Sequence, residues 1–281
     1  YLNHYINSDI GQIFFSTNQI GGSQKNVNAG TLRKMPIVFP HNKAEQTAIA
    51  TALNDADNLI SELEKLITKK KMIKQGAMQE LLRPKEGWEV KTLVEVSKFR
   101  RGTFPQPYGL DKWYDDNSGF PFVQVFDVDD NMKLKNETKR RISSEAQKLS
   151  LFIKKGSIIL TIQGSIGRIA ITQYDAYMDR TLLLFQDYLV PLNKYFFMLL
   201  VHLLFEREKQ KAPGGTIKTI TKEALSSFPI SFPSIDEQNK IAKILSDMDS
   251  EIESLEKKLN KYKMIKQGMM QNLLTGKIRL V

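Results

Sequence analysis

The chain has 281 residues, 41% of them apolar, and its 41 Lys and Arg residues against 31 Asp and Glu residues give a formal net charge of +10. This much apolar sequence can fill the core of one large domain or two ordinary ones. The positive charge favours a polyanionic partner, either nucleic acid or an acidic protein. The absence of cysteine excludes disulfides and thiolate metal sites and fits a cytoplasmic location, which we expect. The longest apolar stretch, residues 195–205, is too short to span a bilayer, so we expect no membrane partner.

The first segment, residues 1–40, has the character of the C-terminal remnant of a domain. It begins with a tyrosine and resembles sequence from the middle of a domain, so we expect that the natural chain extends further at its N-terminus. Residues 21–23 and 36–40 match residues 214–216 and 229–233. The segment is therefore predicted to retain the last part of a first domain and to lack the β-rich body of that domain.

The next segment, residues 41–87, is predicted to be a long helix, and residues 234–281 repeat it. Residues 45–82 align without gaps with residues 237–274, and more than half of the aligned positions are identical. A helix of this length extends about 57 Å, so its apolar stripe needs a partner, most simply the other copy. In both copies, apolar residues alternate four and three positions apart, as in a coiled-coil seam. In the first copy they are Ile49, Leu53, Ala56, Ile60, Leu63 and Ile67, after which Lys70 breaks the pattern. In the second copy they are Ile241, Leu245, Met248, Ile252, Leu255, Leu259 and Tyr262.

Prolines, a capping residue and glycines mark the ends of both predicted helices. Pro40 and Pro233 stand just before them, and Asp236 is predicted to be the N-cap of the second helix. Gly276 is predicted to end the second helix, and residues 83–87 to end the first.

Residues 88–233 have a different character and predict one globular α+β domain. Four short β-type runs are separated by turn residues, at 121–125, 157–162, 168–172 and 181–185. Residues 192–211 are predicted to form an aromatic-rich helix. The predicted fold class is α+β, with a mixed β core joined to two long helices that repeat one another.

Basic side chains of this domain are candidate contacts to a nucleic acid. Lys and Arg neutralise phosphates, and Arg also fits the edge of guanine. The candidates are Arg100, Arg101, Lys139, Arg140, Arg141 and Arg180. The alternative for all of them is a solvated charged surface.

Two loops are further candidates. Residues 162–168 join two β-type runs and place Gln163, Ser165 and Arg168 together. Gln suits adenine, Arg suits guanine, and the glycines allow a close approach to phosphate, although the loop could equally be an ordinary turn. Lys218 lies in a second, glycine-containing loop that is repeated near the start of the chain, which favours either phosphate binding or a structural role.

A block of six residues near the end of each helix is repeated more faithfully than a coiled-coil seam requires. A surface kept alike in both copies suggests that the same kind of partner binds twice. The candidate contacts are Lys71, Met72, Lys74, Gln75, Lys263, Met264, Lys266 and Gln267. The alternative is that each block packs against the start of the other helix.

No constellation for catalysis stands out, so we expect a chain without enzymatic activity. The histidines His4, His41 and His202 are scattered, and no phosphate-binding loop or methyltransferase motif is present. Residues 137–139 have the Glu-x-Lys form of a nuclease core, but an acidic partner is not evident and the match is weak. A nuclease or methyltransferase is therefore less favoured than a DNA-binding module or a coiled-coil scaffold that organises other proteins.

The order of domain, long helix, domain and long helix resembles the specificity subunit of type I restriction–modification systems. The resemblance covers nearly the whole chain and is carried by the Gly-Gly-Thr-Ile-Lys run at 214–218, the Phe-Pro-Ile-Ser-Phe-Pro run at 228–233, Glu237-Gln238, and the Lys-Met-Ile-Lys-Gln-Gly block with its continuation at 273–280. It implies target-recognition domains that each read one half of a split sequence in double-stranded DNA. It also implies an antiparallel coiled coil with a pseudo-twofold axis. In that arrangement we expect contacts of Leu53, Ile60 and Leu63 with Ile252, Leu255 and Leu259.

The same resemblance implies the partners. Each half of the subunit recruits one methyltransferase subunit, giving two per chain, and restriction subunits join that complex. S-adenosylmethionine and ATP belong to those partners, so no cofactor is expected in this chain. Because most of the first recognition domain is lacking, we expect the chain to read one half-site. A homodimer, which the sequence allows, would restore two.

Overall fold

The computed structural model describes residues 1–19, 21, 26–211 and 222–280. Two compact units are present, one of residues 1–75 with 247–281 and one of residues 76–246. Both long helices therefore contribute residues to each unit. The domain limits predicted from the sequence, which separate whole helices from globular segments, stay a prediction.

The first unit contains three short helices and most of the two long ones. They are α1 (Leu2–Ile6), α2 (Asp9–Thr17), α3 (Ala29–Leu32), α4 (Lys43–Leu81) and α9 (Ile235–Leu273). The long helices have 39 residues each, which confirms the helices predicted from the repeat. Among the described residues, no helix combines the length and apolar character needed to cross a bilayer.

Polar caps fix where the long helices begin. The Asn42 Oδ1 accepts a hydrogen bond from the N–H two residues on at 2.8 Å, and the Ser234 Oγ accepts one from the N–H three residues on at 3.5 Å. The prediction of Asp236 as the N-cap of α9 is wrong. Ser234 caps the helix, and Asp236 lies in the first turn, where a carboxylate still interacts favourably with the helix dipole. Gly276 follows α9 with a φ of +73°, as its predicted role requires.

Salt bridges between α4 and α9 show that these helices run antiparallel. Four of them form two sets that are equivalent under the repeat, Lys74–Asp249 with Lys266–Asp57, and Lys71–Glu256 with Lys263–Glu64. In the second set the Nζ and Oε1 atoms are 2.6 and 2.7 Å apart. A contact that recurs with the two copies exchanged is the mark of a twofold axis. The predicted pseudo-twofold, antiparallel coiled coil is confirmed.

An apolar cluster joins the start of α4, the end of α9 and the first segment of the chain. Its buried members are Tyr5, Met35, Ile49, Leu53, Leu273 and Leu274. Leu53 therefore meets Leu273 and Leu274, and the prediction that it would lie in the group facing Ile252 is wrong. The register differs because the salt bridges place Asp57 beside Lys266, which brings the start of one helix to the end of the other.

Besides the ends of α4 and α9, the described residues of the second unit form ten short strands and four α-helices. In chain order they are β1 (Glu89–Thr92), α5 (Leu93–Val96), β2 (Ser97–Arg101), β3 (Phe120–Val123), β4 (Arg140–Ile142), α6 (Ser144–Gln147), β5 (Leu151–Ile153), β6 (Ile158–Thr161), β7 (Ile169–Ile171), β8 (Ala176–Met178), β9 (Leu182–Tyr188), α7 (Lys194–Lys211), α8 (Lys222–Ser226) and β10 (Pro229–Phe232). Strands β3, β6, β7 and β9 confirm the four predicted β-type runs, and α7 confirms the predicted helix.

The strands of this unit form three sheets. A two-stranded sheet pairs β1 with β10, and the four-stranded sheets have the orders β2-β9-β6-β7 and β4-β3-β8-β5. The β3–β8 pair is parallel and the other pairs are antiparallel. Val123 and Met178 from one four-stranded sheet share a buried cluster with Ile159 and Leu184 from the other. The predicted α+β class with a mixed β core is therefore confirmed.

Reversing the charge of Lys74 should destabilise the helix pair. Lys74 is 11% exposed and pairs with Asp249, so Lys74→Glu places two carboxylates together and should lower the free energy of unfolding by about 1 kcal/mol. Adding Asp249→Lys should restore most of the loss, because the pair is then re-formed with its charges exchanged. Urea unfolding followed by circular dichroism measures both effects.

The exposed pair Lys65–Glu62, which lies within α4, provides the control. Lys65→Glu should cost less than about 0.5 kcal/mol. If the Lys74→Glu/Asp249→Lys variant were as unstable as the sum of the two single variants, the antiparallel register described above would be contradicted.

Candidate nucleic-acid interface

Strand β2 brings two predicted arginines next to a third. Arg100 and Arg101 end this strand, and both are exposed. Because β2 pairs antiparallel with β9, Arg101 lies beside the residues that precede β9. The Arg101 Nε donates a hydrogen bond to the Arg180 carbonyl oxygen at 2.5 Å. Arg101 and Arg180, nearly eighty positions apart in the sequence, therefore lie together.

Gly102 permits this close approach of two backbone segments. A Cβ atom at Gly102 would lie 2.1 Å from the carbonyl oxygen of Asp179 and 2.7 Å from that of Met178. The Gly102 N–H also donates to the Leu182 carbonyl at 3.0 Å, which holds the segment in place. Any side chain at position 102 would therefore force β2 away from the backbone segment that contains Arg180.

Two tyrosine rings support guanidinium groups. The Arg180 Cζ lies 4.8 Å from the Tyr108 ring centroid, and the Arg140 Cζ lies 3.7 Å from the Tyr114 ring centroid. Both rings contact the Phe104 ring, with centroids 5.0 and 5.5 Å apart. A guanidinium over an aromatic face is attracted by the ring quadrupole and loses part of its freedom. We name Arg101, Tyr108, Tyr114, Arg140 and Arg180 the arginine–tyrosine cluster.

A buried polar network lies beneath the cluster. The Tyr108 hydroxyl donates to the Asp179 Oδ2 at 2.7 Å, and the Gln124 Nε2 donates to the Tyr108 oxygen at 2.8 Å. Burial, followed by the hydrogen bond to Asp179 and its charge, raises the pKa of Tyr108 well above its ordinary value. Burial also raises the pKa of Tyr114. Both phenols therefore stay neutral at physiological pH and present uncharged ring faces to the arginines.

Lys139 and Arg141, the predicted candidates on either side of Arg140, are held in structural contacts. The Arg141 Nε donates to the Gly119 carbonyl at 2.7 Å, and the Lys139 Nζ lies 5.0 Å from the Phe126 ring centroid. Arg140 pairs with Asp116 at 3.0 Å in addition to its contact with Tyr114. Of the predicted run 139–141, only Arg140 is therefore placed with the arginines of β2.

The predicted hairpin loop is present between β6 and β7, and it exposes Gln163 and Ser165. The Arg168 guanidinium, in contrast, is held by an ion pair and by a backbone carbonyl. Its Nε and Nη2 lie 2.8 and 3.2 Å from the two carboxylate oxygens of Asp130, and its Nη1 donates to the Val128 carbonyl at 3.3 Å. This geometry favours a structural role for Arg168, while base contact by Gln163 and Ser165 stays a prediction.

The surface beside Arg168 is acidic. Asp129, Asp130 and Glu206 line a cavity of about 340 Å³ together with Arg168 and His202. Because Arg168 is already paired with Asp130, its charge is less available to a phosphate. The polyanion-binding face is therefore better placed at the arginine–tyrosine cluster than at this cavity.

Lys218 and its glycine-containing loop lie outside the described residues, and so do residues 22–25 of the matching loop. Their predicted role in phosphate binding stays a prediction. Among the described residues, no group of three or more His, Asp or Glu side chains is arranged to hold a metal ion.

The repeated block on the long helices presents exposed apolar side chains beside lysines that are paired within the helix pair. Lys71, Lys74, Lys263 and Lys266 are all engaged in salt bridges between α4 and α9. Met72 and Met264 are 68% and 66% exposed, and the isoleucine after each is exposed as well. Gln75 is exposed, and the Gln267 Nε2 reaches the Asp9 carboxylate at 3.5 Å. The lysines fit the packing alternative, whereas the methionines are free to meet a partner.

Sequence reasoning missed the two tyrosines and the buried Asp179 and Gln124. A weak signal was available, because Phe104, Tyr108 and Tyr114 follow directly after the basic run at the end of β2. Aromatic residues interleaved with cations are typical of nucleic-acid surfaces. The arginine that each ring contacts could not be predicted from this pattern, since Arg140 and Arg180 lie far from the tyrosines in the sequence.

Comparison with known proteins gives consistent matches. The family model of the type I restriction modification DNA specificity domain matches residues 85–264. The type I restriction enzyme EcoR124I/EcoR124II specificity subunit of Escherichia coli is 26% identical over 230 residues, covering 78% of this chain and 56% of that protein. The MjaVIII specificity subunit of Methanocaldococcus jannaschii is 28% identical over 269 residues, covering 84% and 60%. The chain thus spans less than two thirds of the length of these relatives.

Solved structures share the fold. The HsdS subunit from Thermoanaerobacter tengcongensis superposes with a TM-score of 0.55 at 18% identity, covering 99% of this chain and 70% of that one. The S subunit of the type I restriction-modification system from M. genitalium superposes with a TM-score of 0.64 at 17% identity, covering 94% and 70%. At these identities the likeness concerns the fold.

Adding a single methyl group at Gly102 should destabilise the second unit. Gly102→Ala places a carbon atom against two backbone carbonyls, so we expect a loss of about 1–3 kcal/mol. Gly76 provides the matched control, because it lies inside α4 with no atom within 4 Å of its Cβ position. Gly76→Ala should stabilise the chain by about 0.5–1 kcal/mol. Thermal unfolding measures both, and an unchanged midpoint for Gly102→Ala would refute the close approach.

Proposed function

Because this chain belongs to the family of type I restriction modification DNA specificity domains, we propose that its second unit reads one half of a split DNA sequence. The observation that carries the proposal is the arginine–tyrosine cluster. The Arg140 and Arg180 guanidinium groups lie over the neutral rings of Tyr114 and Tyr108, and Arg101 is hydrogen-bonded to the Arg180 backbone.

The cluster suits both tasks of a DNA-reading surface. Arginine neutralises phosphates, which supplies affinity, and its planar fork fits the O6 and N7 acceptors of guanine, which supplies specificity. Support from Tyr108 and Tyr114 reduces the freedom that each guanidinium loses on binding. Gln163 and Ser165, exposed on the β6–β7 loop, would add amide and hydroxyl contacts to base edges.

The remaining functions of the complex are assigned to partners. In this proposal the chain is not an enzyme, and S-adenosylmethionine and ATP are bound by methyltransferase and restriction subunits. Methyl transfer and cleavage would then take place on those subunits while this chain selects the site.

The helix pair is proposed as the docking surface for two methyltransferase subunits. The supporting observation is the exposure of Met72 with Ile73 and of Met264 with Ile265, which repeat one another under the pseudo-twofold axis. Unbranched methionine adapts to a partner surface and contributes apolar area. Because the same surface is presented twice, a partner that fits one copy also fits the other.

Removing the three arginines of the cluster should weaken DNA binding and flatten its salt dependence. In the Arg101→Ala/Arg140→Ala/Arg180→Ala variant, the plot of log K against log salt should lose about two to three units of slope, because each lost phosphate contact removes about 0.9. Fluorescence anisotropy with a labelled duplex at several salt concentrations measures the slope.

A variant with the same loss of charge provides the control. Lys65, Lys69 and Lys257 are exposed on the long helices, and their replacement by Ala should leave the slope within about 0.5 of the parent value. Equal losses in both variants would indicate binding through net charge alone. That outcome would favour a scaffold without a DNA-reading face.

Acidic substitutions at the two methionines should remove the methyltransferase subunits one at a time. Met72→Asp and Met264→Asp should each leave one bound subunit, and the double variant should leave none, because a carboxylate is costly to bury in an apolar contact. Light scattering of the mixed proteins gives the stoichiometry. A single variant that lost both subunits, or a double variant that kept both, would contradict the assigned surfaces.

A further inference from the structure

The turn between β8 and β9, residues 179–182, joins the two groups of candidate DNA contacts in the second unit. On one side of the turn, the Arg180 carbonyl accepts a hydrogen bond from Arg101, which belongs to the arginine–tyrosine cluster. On the other side, the Thr181 carbonyl accepts one from the Ile162 N–H at 2.9 Å. Because Ile162 begins the β6–β7 loop, the arginine–tyrosine cluster and this loop share one support.

The β6–β7 loop has a fixed base. The Thr161 hydroxyl donates to the Ser165 carbonyl and accepts from the backbone N–H of Arg168 at 2.9 Å. Ile162 and Ile166, on either side of the exposed tip, are only 8% and 5% exposed. A tip that is held at both ends follows the position of its base. The turn that binds Ile162 therefore also determines where the tip of the loop lies.

Asp179 fixes this turn from within the domain. Its N–H donates at 3.0 Å to the carbonyl of Val123, the last residue of the parallel neighbour β3. Its Oδ2 accepts from the Tyr108 hydroxyl and, at 3.3 Å, from the Gln124 Nε2. Its carbonyl accepts from the Leu182 N–H at 3.1 Å, which closes the turn. One residue therefore ties the turn both to β3 and to Tyr108, one of the two supporting rings.

The buried position of the Asp179 carboxylate is costly. Asp179 is 2% exposed, and its Oδ1, like the Oε1 of the neighbouring Gln124, accepts no hydrogen bond from any described residue. Burying a carboxylate with one oxygen unpartnered opposes folding. Apolar side chains of the same shape would avoid this cost. A contribution to stability is therefore a poor explanation for the carboxylate at this position.

We infer that Asp179 is a positioning residue for DNA reading, which holds the Tyr108 ring and the turn in the arrangement that lets Arg180 and the β6–β7 loop read bases together. Asp179 itself does not touch the DNA. Reading a guanine edge needs a guanidinium at a defined angle, because two hydrogen bonds must form at once. Neutralising phosphates is independent of sequence and has no such requirement. The inference rests on the proposed function and deepens it, because it assigns sequence discrimination to a group other than those that supply affinity.

Three conservative substitutions in the full chain test the inference. Tyr108→Phe removes the hydrogen bond to Asp179 and leaves the ring beside Arg180. Asp179→Asn keeps that bond, since the amide oxygen can take the place of Oδ2 and the amide nitrogen the place of the unpartnered Oδ1. Tyr174→Phe is the matched control, because the Tyr174 hydroxyl donates to the Lys135 carbonyl at 2.9 Å, in the same unit but outside the cluster.

The probe is a pool of labelled DNA duplexes that contain a randomised segment. Selection from this pool by the parent chain gives its preferred duplex, and a scrambled form of that duplex is the reference. Discrimination is the ratio of the two dissociation constants, each measured by fluorescence anisotropy. A loss of stability lowers the folded fraction for both duplexes alike and leaves this ratio unchanged, so the ratio reports on positioning and not on folding.

Tyr108→Phe should lower the discrimination ratio about tenfold, which is the order of the cost of ordering one long side chain on binding. Its plot of log K against log salt should keep the parent slope within about 0.5, because the phosphate contacts remain. Asp179→Asn and Tyr174→Phe should both keep the ratio within about twofold of the parent value, since neither breaks the bond between Tyr108 and Asp179.

Two results would overturn this inference and leave the proposed function standing. One is a ratio for Tyr108→Phe equal to that of the parent chain. The other is a loss in Asp179→Asn as large as that in Tyr108→Phe, which would assign the effect to the charge of Asp179 and not to its hydrogen bond. A parent chain that selected no duplex from the pool would instead overturn the proposed function, and this inference with it.

Discussion

The antiparallel pairing of α4 with α9 is the constraint on which the rest of the first unit depends. A helix of 39 residues with one apolar stripe cannot remain unpartnered in water, and the repeat supplies a partner with the same stripe. Salt bridges at equivalent positions select one register, Lys74 with Asp249 and Lys266 with Asp57. In that register Leu53 reaches Leu273, and the apolar cluster that anchors the first residues of the chain can form. The same symmetry presents Met72 and Met264 as equivalent exposed surfaces.

In the second unit, the close packing at Gly102 determines where two of the candidate DNA-binding arginines lie. Its lack of a side chain lets β2 approach the Asp179 backbone, and this approach sets Arg101 beside Arg180. The rings of Tyr108 and Tyr114 then hold Arg180 and Arg140 in a surface that is cationic but ordered. Arg168 differs in how fully it is engaged, because its Nε and Nη2 meet Asp130 and its Nη1 meets the Val128 carbonyl, whereas Asp116 meets Arg140 at its Nε. Position in the fold, and not residue type, separates the arginines available to DNA from those that stabilise the domain.

Elements that depend on local pattern could be predicted from the sequence. The heptad spacing and the repeat gave both long helices, and β-branched runs between turn residues gave β3, β6, β7 and β9. Register could not be predicted, because Leu53 fits the seam opposite Ile252 as well as opposite Leu273 until the charges are placed. The arginine–tyrosine cluster could not be predicted either. Arg101 lies on β2 of one four-stranded sheet, Arg140 lies on β4 of the other, and Arg180 lies in the turn before β9, so tertiary packing and not local sequence pattern forms the cluster. Asp236 is not the N-cap of α9, because the Ser234 hydroxyl, two residues earlier, already accepts the hydrogen bond from the first turn.

The distance between two spin labels on the long helices tests the antiparallel pairing most directly. Thr51 and Ser250 are exposed positions of the first unit, and a chain without cysteine allows both to be labelled specifically after substitution by Cys. Ser250 lies next to the residue that pairs with Lys74, so the antiparallel register separates the two labels by about 35 Å along the helix axis, at a rise of 1.5 Å per residue. A parallel pairing of the repeats would reduce that separation to about 10 Å. Double electron–electron resonance should therefore show a long distance, and a dominant short distance would contradict the antiparallel fold.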